Sequence, residues 1–266
     1  MGEALRAVGS RARGLLWVVL ALLGAGGCAS IPAYLSMEGD ELWTTGVAAF
    51  ERGDWDEAIE RLEQFVTVSP GDARAPEARI RVARAYAGRE EYLTAASEFE
   101  LFLQLHPSHG LAPEASLGIC QAYAALAPHP QRDQTYTVDA EEACGLTAFE
   151  FRGLSVAVTA DSIRLAMIVR LAEAAFQRAE FYLRVNLYNS AVDYFEYVIA
   201  EFPETPWAPR ALLGVYRSYE ALGWLPEAEE TAGRLLETYP GSDAAAELAA
   251  ERDAEGVPPP ATGGGP

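Results

Sequence analysis

No lysine occurs in the 266 residues: all 20 basic side chains are arginine, set against 39 carboxylates. Histidine and cysteine are scarce, at three each. His106 and His109 flank Pro107 in a turn, and with His129 they exhaust the imidazoles, so no convincing metal ligand set forms with cysteine. No phosphate loop, nucleophile elbow or dinucleotide fingerprint is present. Acidic pairs such as Glu90-Glu91 and Glu229-Glu230 fall at helix starts or on solvated faces, where carboxylates favour the helix dipole and solubility. The sequence therefore points away from catalysis and calls for no cofactor. A formal charge of -19 repels nucleic acid and anionic lipid head groups, which argues against a polyanion partner. The apolar run from Leu15 to Leu23 is too short to cross a bilayer of ~30 Å at about 1.5 Å per residue.

What that run does fit is a secretory signal. Arg6, Arg11 and Arg13 precede it, and Gly24-Ala25-Gly26-Gly27 follow it ahead of Cys28. Ala25 to Cys28 resembles a bacterial lipobox, in which cleavage falls before a cysteine that is then acylated. Three acyl chains exceed the two-signal requirement for stable anchoring. The alternative is an ordinary cleavage site beside an incidental cysteine. On the first reading, residues 1–27 are the signal peptide and 28–38 a lipidated linker, with Cys28 holding the chain to a membrane. Cleavage removes three arginines and one glutamate, so the formal charge moves from -19 to -21. Ala29, with no Asp there, favours the outer membrane by resemblance to enterobacterial sorting.

Internal periodicity organises the remainder. Gly53 to Ala58, running on to Pro70, aligns with Glu90 to Ala95 running on to Pro107, a register of 37 residues between the two prolines. Asn186 to Ala191 with Pro203, and Gly223 to Ala228 with Pro240, fit the same frame. A small Ala suits the closest crossing of two antiparallel helices. The first Pro stops the second helix, and Pro76, Pro113 and Pro209 open the next, where the missing N–H costs nothing. Apolar residues recur at helical spacing, as in Ile59, Leu62, Phe65 and Val66. Each unit reads as a helical hairpin. The pattern resembles the tetratricopeptide repeat, with Gly46, Ala83 and Ala179 at the small first-helix position, Tyr86, Tyr182 and Tyr219 at the Tyr position, and Phe99 and Phe195 at the Phe position. The expected fold is all-α, an α-solenoid of about five such hairpins over 39–242, with 243–266 a disordered tail.

The third unit is altered. Its first helix is expected from about Glu114 to Leu126, its second to carry Ala148-Phe149, and Ala160-Asp161-Ser162 to stand where the terminal Pro belongs. A loop from Pro128 to Tyr136 divides the two, and one long helix is expected from Ser162 to Arg184. This frame sets Cys120 and Cys144 at different heights on one hairpin, beyond the ~7 Å Cα limit for a disulfide. A bridge and two buried thiols both stay open, with the thiols favoured.

A lipobox followed by five hairpins with a loop in the third resembles the BamD family of outer-membrane assembly lipoproteins. Its most telling pieces are Phe102 to His109, Arg132-Asp133-Gln134-Thr135, and Ala179 to Leu183. The resemblance implies a lipid-anchored protein facing the periplasm at the outer membrane, working with a BamA-type β-barrel insertase and other assembly subunits. It also implies that unfolded outer-membrane protein clients are held by the N-terminal units, with the insertase on the C-terminal units. A general tetratricopeptide lipoprotein scaffolding cell-envelope or secretion machinery is the alternative.

Two candidate sites follow. Arg74, Arg79, Arg81, Arg84 and Arg89 crowd the first helix of unit two. Arg81, Arg84, Tyr86, Gln121 and Tyr123 are the candidate groove residues, with Arg84 able to meet a client carboxylate. The competing reading pairs these arginines with Glu51, Glu60, Glu63 and Glu77 on a solvated face. Arg132 to Thr135 is the candidate partner loop.

Overall fold

A computed structural model describes residues 38–256; Cys28 and the signal segment lie outside them. Among the described residues there are eleven α-helices and no strand. They pair as hairpins. The first is α1 (Gly39–Arg52) with α2 (Trp55–Val68), and the second α3 (Ala75–Gly88) with α4 (Tyr92–Leu105). The third joins α5 (Ala112–Leu126) to α6 (Thr135–Glu150). The fourth joins α7 (Ser155–Arg184) to α8 (Tyr188–Glu201), and the fifth α9 (Trp207–Leu222) to α10 (Leu225–Thr238). α11 (Asp243–Glu255) follows. First helices also touch across units, α1 on α3, α3 on α5, α5 on α7, α7 on α9 and α9 on α11. The chain is an α-solenoid. Among the described residues no helix is long and apolar enough to cross a membrane.

The repeat frame places matching residues in matching roles. Each hairpin tip in units one, two, four and five carries one left-handed residue, Gly53 (φ 75°), Glu90 (φ 63°), Asn186 (φ 60°) and Gly223 (φ 74°). Two of the four are therefore not glycine, and Glu90 holds a conformation that L side chains resist. The second helices end alike: the N–H groups of Ser69, His106, Phe202 and Tyr239 donate to the carbonyls of Phe65, Phe102, Val198 and Leu235, all four fully buried. Pro76 and Pro113 stand within the first two positions of α3 and α5.

One pair of positions sets how closely the two helices of a unit approach. It is Gly46 with Leu62, Ala83 with Phe99, Ala179 with Phe195, and in unit five the reversed Tyr216 with Ala232. Unit three fills it with Cys120 and Cys144, which form a disulfide, with Cα atoms 4.7 Å apart. This corrects the expectation of two separated thiols. The error lay in the frame. α6 begins at Thr135, so Ala140 takes the close-crossing position and Cys144 the Phe position, both fully buried, whereas Phe149 is 69% exposed. The expected stop at Ala160-Asp161-Ser162 is overturned as well, because these residues lie inside α7 and Ala160 is buried. The chain turns at Phe151 to Leu154, with Gly153 at φ 95°.

A third correction concerns the tail. Residues 243–255, expected to be disordered, form α11. The Ser242 hydroxyl accepts the Ala245 N–H at 3.1 Å, a start signal. Ala244, Ala245 and Leu248 then pack on Leu212, Tyr216 and Leu235. Arg252, only 4% exposed, reaches Glu229 with two guanidinium nitrogens at 2.8 and 3.0 Å. α11 takes the place of a sixth first helix and covers the open end of unit five.

Candidate functional site

Four of the five arginines on and around α3, all but Arg79, are held by acids. Arg74 bridges Asp72 and Asp40 at 2.7 Å each, and its guanidinium lies 5.5 Å from the centroid of Trp43. Arg81 pairs with Glu77 one turn back, and its guanidinium lies 5.2 Å from the centroid of Trp43. Arg84 pairs with Glu114 of the next unit, and Arg89 with Asp56 and Glu91. The pairing reading thus describes Arg74, Arg81, Arg84 and Arg89 but not Arg79, and apart from Glu77 the partners differ from those anticipated.

The five groove residues do not converge on one site. Arg84 and Gln121 line a shallow cavity of about 190 Å³ between units two and three, with Glu114, Phe99, Leu117 and Gly118. Tyr86 and Tyr123 serve a repeated cross-unit link instead. Tyr86 donates to Glu63 at 3.0 Å and Tyr123 to Glu100 at 3.4 Å, one repeat apart. Burial, then the neighbouring Glu63 carboxylate, pushes the Tyr86 hydroxyl up to about 12. Arg81 stands apart over Trp43.

The Arg132 to Thr135 segment is built largely for its own shape. Asp133 accepts from both the Thr135 N–H and its hydroxyl, which holds the Asp133 carboxyl below the usual range. The Gln134 amide donates to the carbonyls of His129 and Arg132 at 3.0 Å each, and its oxygen accepts from Thr137 at 2.8 Å. Arg170 of α7 donates to the Ala127 carbonyl at 2.7 Å and so fastens the loop to the long helix. Of the four residues, Arg132 is the one whose side chain lines a groove. That groove, about 450 Å³, lies between the loop and the C-terminal half of α7, and Gln177, Arg178, Glu180, Phe181 and Arg184 form its other wall.

Nothing in the one-dimensional pattern pointed to Gln177, Arg178 or Arg184. They sit among generic first-helix positions, and the loop that faces them is far away in sequence. A further open hollow of about 550 Å³ lies at the α6–α7 corner, where Phe149 and Val158 are exposed and Arg152 stands 5.1 Å over the Phe149 ring. Among the described residues no group of His, Cys, Asp or Glu is arranged to hold a metal ion.

The family model described as YfiO, outer membrane lipoprotein, matches residues 36–235. No curated relative matches the chain. Similar solved structures include a TPR repeats protein of Bacteroides fragilis, at 11% identity and a TM-score of 0.46, covering 83% of this chain and 100% of that one. Another is the TPR2AB domain in the pHSP90 complex of yeast Sti1, at 18% identity and a TM-score of 0.42, covering 82% and 84%. A third is a thermophilic TPR protein of Thermus thermophilus, at 19% identity and a TM-score of 0.34, covering 80% and 98%.

Proposed function

Because this chain belongs to the YfiO family of outer-membrane lipoproteins, the BamD-like family its sequence resembles, we propose that it is an adaptor of the outer-membrane β-barrel assembly machinery. It is tethered through acylated Cys28 on the periplasmic face of the outer membrane and holds a BamA-type insertase together with unfolded outer-membrane protein clients. The family match over residues 36–235 is the observation that carries this reading. Stacked hairpins suit the task, because a solenoid offers long surfaces on which separate units engage separate partners. The cavity at Arg84 and Gln121 is the candidate client site, and units three to five, with the Arg132 to Thr135 loop, the candidate insertase surface. The adaptor brings partners together and performs no chemistry on them.

Affinity purification of the tagged full-length chain from native membranes tests the reading. Recovery of the BamA-type insertase is expected. Recovery of only division or polysaccharide-export proteins overturns it.

A further inference from the structure

We infer that the groove between the third-unit loop and the C-terminal half of α7 binds a short, extended peptide segment of a protein partner through its carboxylates. The inference rests on the adaptor reading for the occupant being a protein, while its chemistry is argued from the groove alone.

Three arginines line this space, Arg132, Arg178 and Arg184, against the single acidic residue Glu180. In a chain of formal charge -19 that is a local reversal of sign. Most other arginines of the solenoid are committed to acids, Arg84 to Glu114, Arg89 to Asp56, Arg217 to Glu247 and Glu251, and Arg234 to Glu196. Arg132 and Arg184 have no ion pair among the described residues, and Arg178 lies 5.9 Å over the Tyr194 ring with none either. Unpaired guanidiniums with planar donor forks are the groups that recognise carboxylates.

One neighbour favours peptide over a bare anion. Gln177, on the same wall, donates its amide nitrogen to Glu173 at 3.0 Å. Phe181 is 52% exposed beside the arginines and offers an apolar contact that a bare anion does not need. Gln177, Phe181 and Arg184 lie at i, i+4 and i+7, so they form one stripe along the helix. From Ala174 to Arg184 that stripe is about 15 Å long, the span of four or five extended residues. Screening over ~8 Å at physiological salt lets such a short segment respond to the arginines. A long polyanion or an anionic lipid surface would also meet the acidic remainder of the chain.

The probe is a fluorescein-labelled pentapeptide carrying three glutamates, titrated against the full mature chain by fluorescence anisotropy. Saturable binding is expected, with Arg184→Ala and Arg132→Ala each weakening it about tenfold, the loss of one charge-assisted contact. Neither side chain supports another part of the fold, and circular dichroism checks that both variants stay folded. Arg152→Ala, which removes an arginine on another face, is expected to leave affinity unchanged. Absence of saturable binding overturns the inference. So does equal affinity for the glutamine version of the peptide, equal weakening by Arg152→Ala, or retention on phosphatidylglycerol vesicles that depends on Arg132 and Arg184. None of these outcomes changes what the membrane purification recovers, so the adaptor reading stands or falls separately.

Discussion

At Gly118 and Gly214 the solenoid tolerates no side chain. A Cβ added to Gly118 would stand 2.4 Å from the Phe99 ring, and one on Gly214 would stand 2.4 Å from Phe195. Each ring is wedged between Ala83 or Ala179 of its own unit and a glycine of the next. Gly214→Ala and Gly118→Ala should therefore each cost about 1–3 kcal/mol by overpacking. Gly71→Ala, where a Cβ would meet nothing within 4 Å, should be neutral by thermal denaturation. The large members of these pairs were legible in the sequence, since Phe99 and Phe195 fall on the repeat frame. Gly118 and Gly214 were not, because a glycine inside a helix reads as a weakness until the ring facing it is known. A second expectation concerns acid. The Arg74 guanidinium, then its N–H, holds the Asp72 carboxyl at about 2 instead of 3.8. A depressed carboxyl contributes stability above its unfolded value and loses it as pH falls from 3.8 through about 2. Carboxyl titration by NMR checks this; a midpoint near 3.8 for Asp72 would contradict it.

Two whole elements behave differently from what local pattern suggests. α6 has a frame of its own, because the Pro128 to Gln134 loop feeds it at Thr135 without the tip used by the other units, and Ala148-Phe149 then imitates the Ala and Phe of a second helix. Phe149 is the decoy, left in solvent, while the role passes to Ala140 and Cys144. The disulfide replaces the packing pair of that hairpin and spans 24 residues of chain. Its reduction should remove about 3 kcal/mol. Because each unit touches only its neighbours, the loss should appear first as faster amide exchange in α5 and α6. Equal loosening of all units would argue against a local clasp. α11 was hidden for another reason. Its Ala-rich face looks compositionally like the start of a tail, yet Leu248 and two alanines find apolar partners on α9 and α10. Deleting residues 243–266 should bare Leu212 and Leu235, lower the melting temperature and open α9 and α10 to exchange, while α1 to α4 keep their protection.

For the molecule as a whole, the 37-residue period was enough to specify a solenoid, because every hairpin must bury its apolar face on the next. The groove at Arg132 and Arg178 was beyond that reasoning, since period arguments match a residue with its equivalents and never with a loop on the far side of the preceding helix. On the adaptor reading, the acyl group proposed on Cys28 is what attaches the solenoid to the membrane. Among the described residues no helix is long and apolar enough to cross a membrane, and the full sequence, with a formal charge of -19, is repelled by anionic lipid. Surface electrostatics therefore cannot replace an acyl anchor, and Cys28→Ser is expected to shift the protein to the soluble fraction. Stability should not follow. The first described helix starts at Gly39, and the core around Leu42, Leu62 and Phe65 draws its buried residues from α1, α2 and α3. Fractionation in high salt with a parallel melting curve separates the two effects. A Cys28→Ser protein that stays with washed membranes would mean that protein partners, and not lipid, hold the solenoid in place.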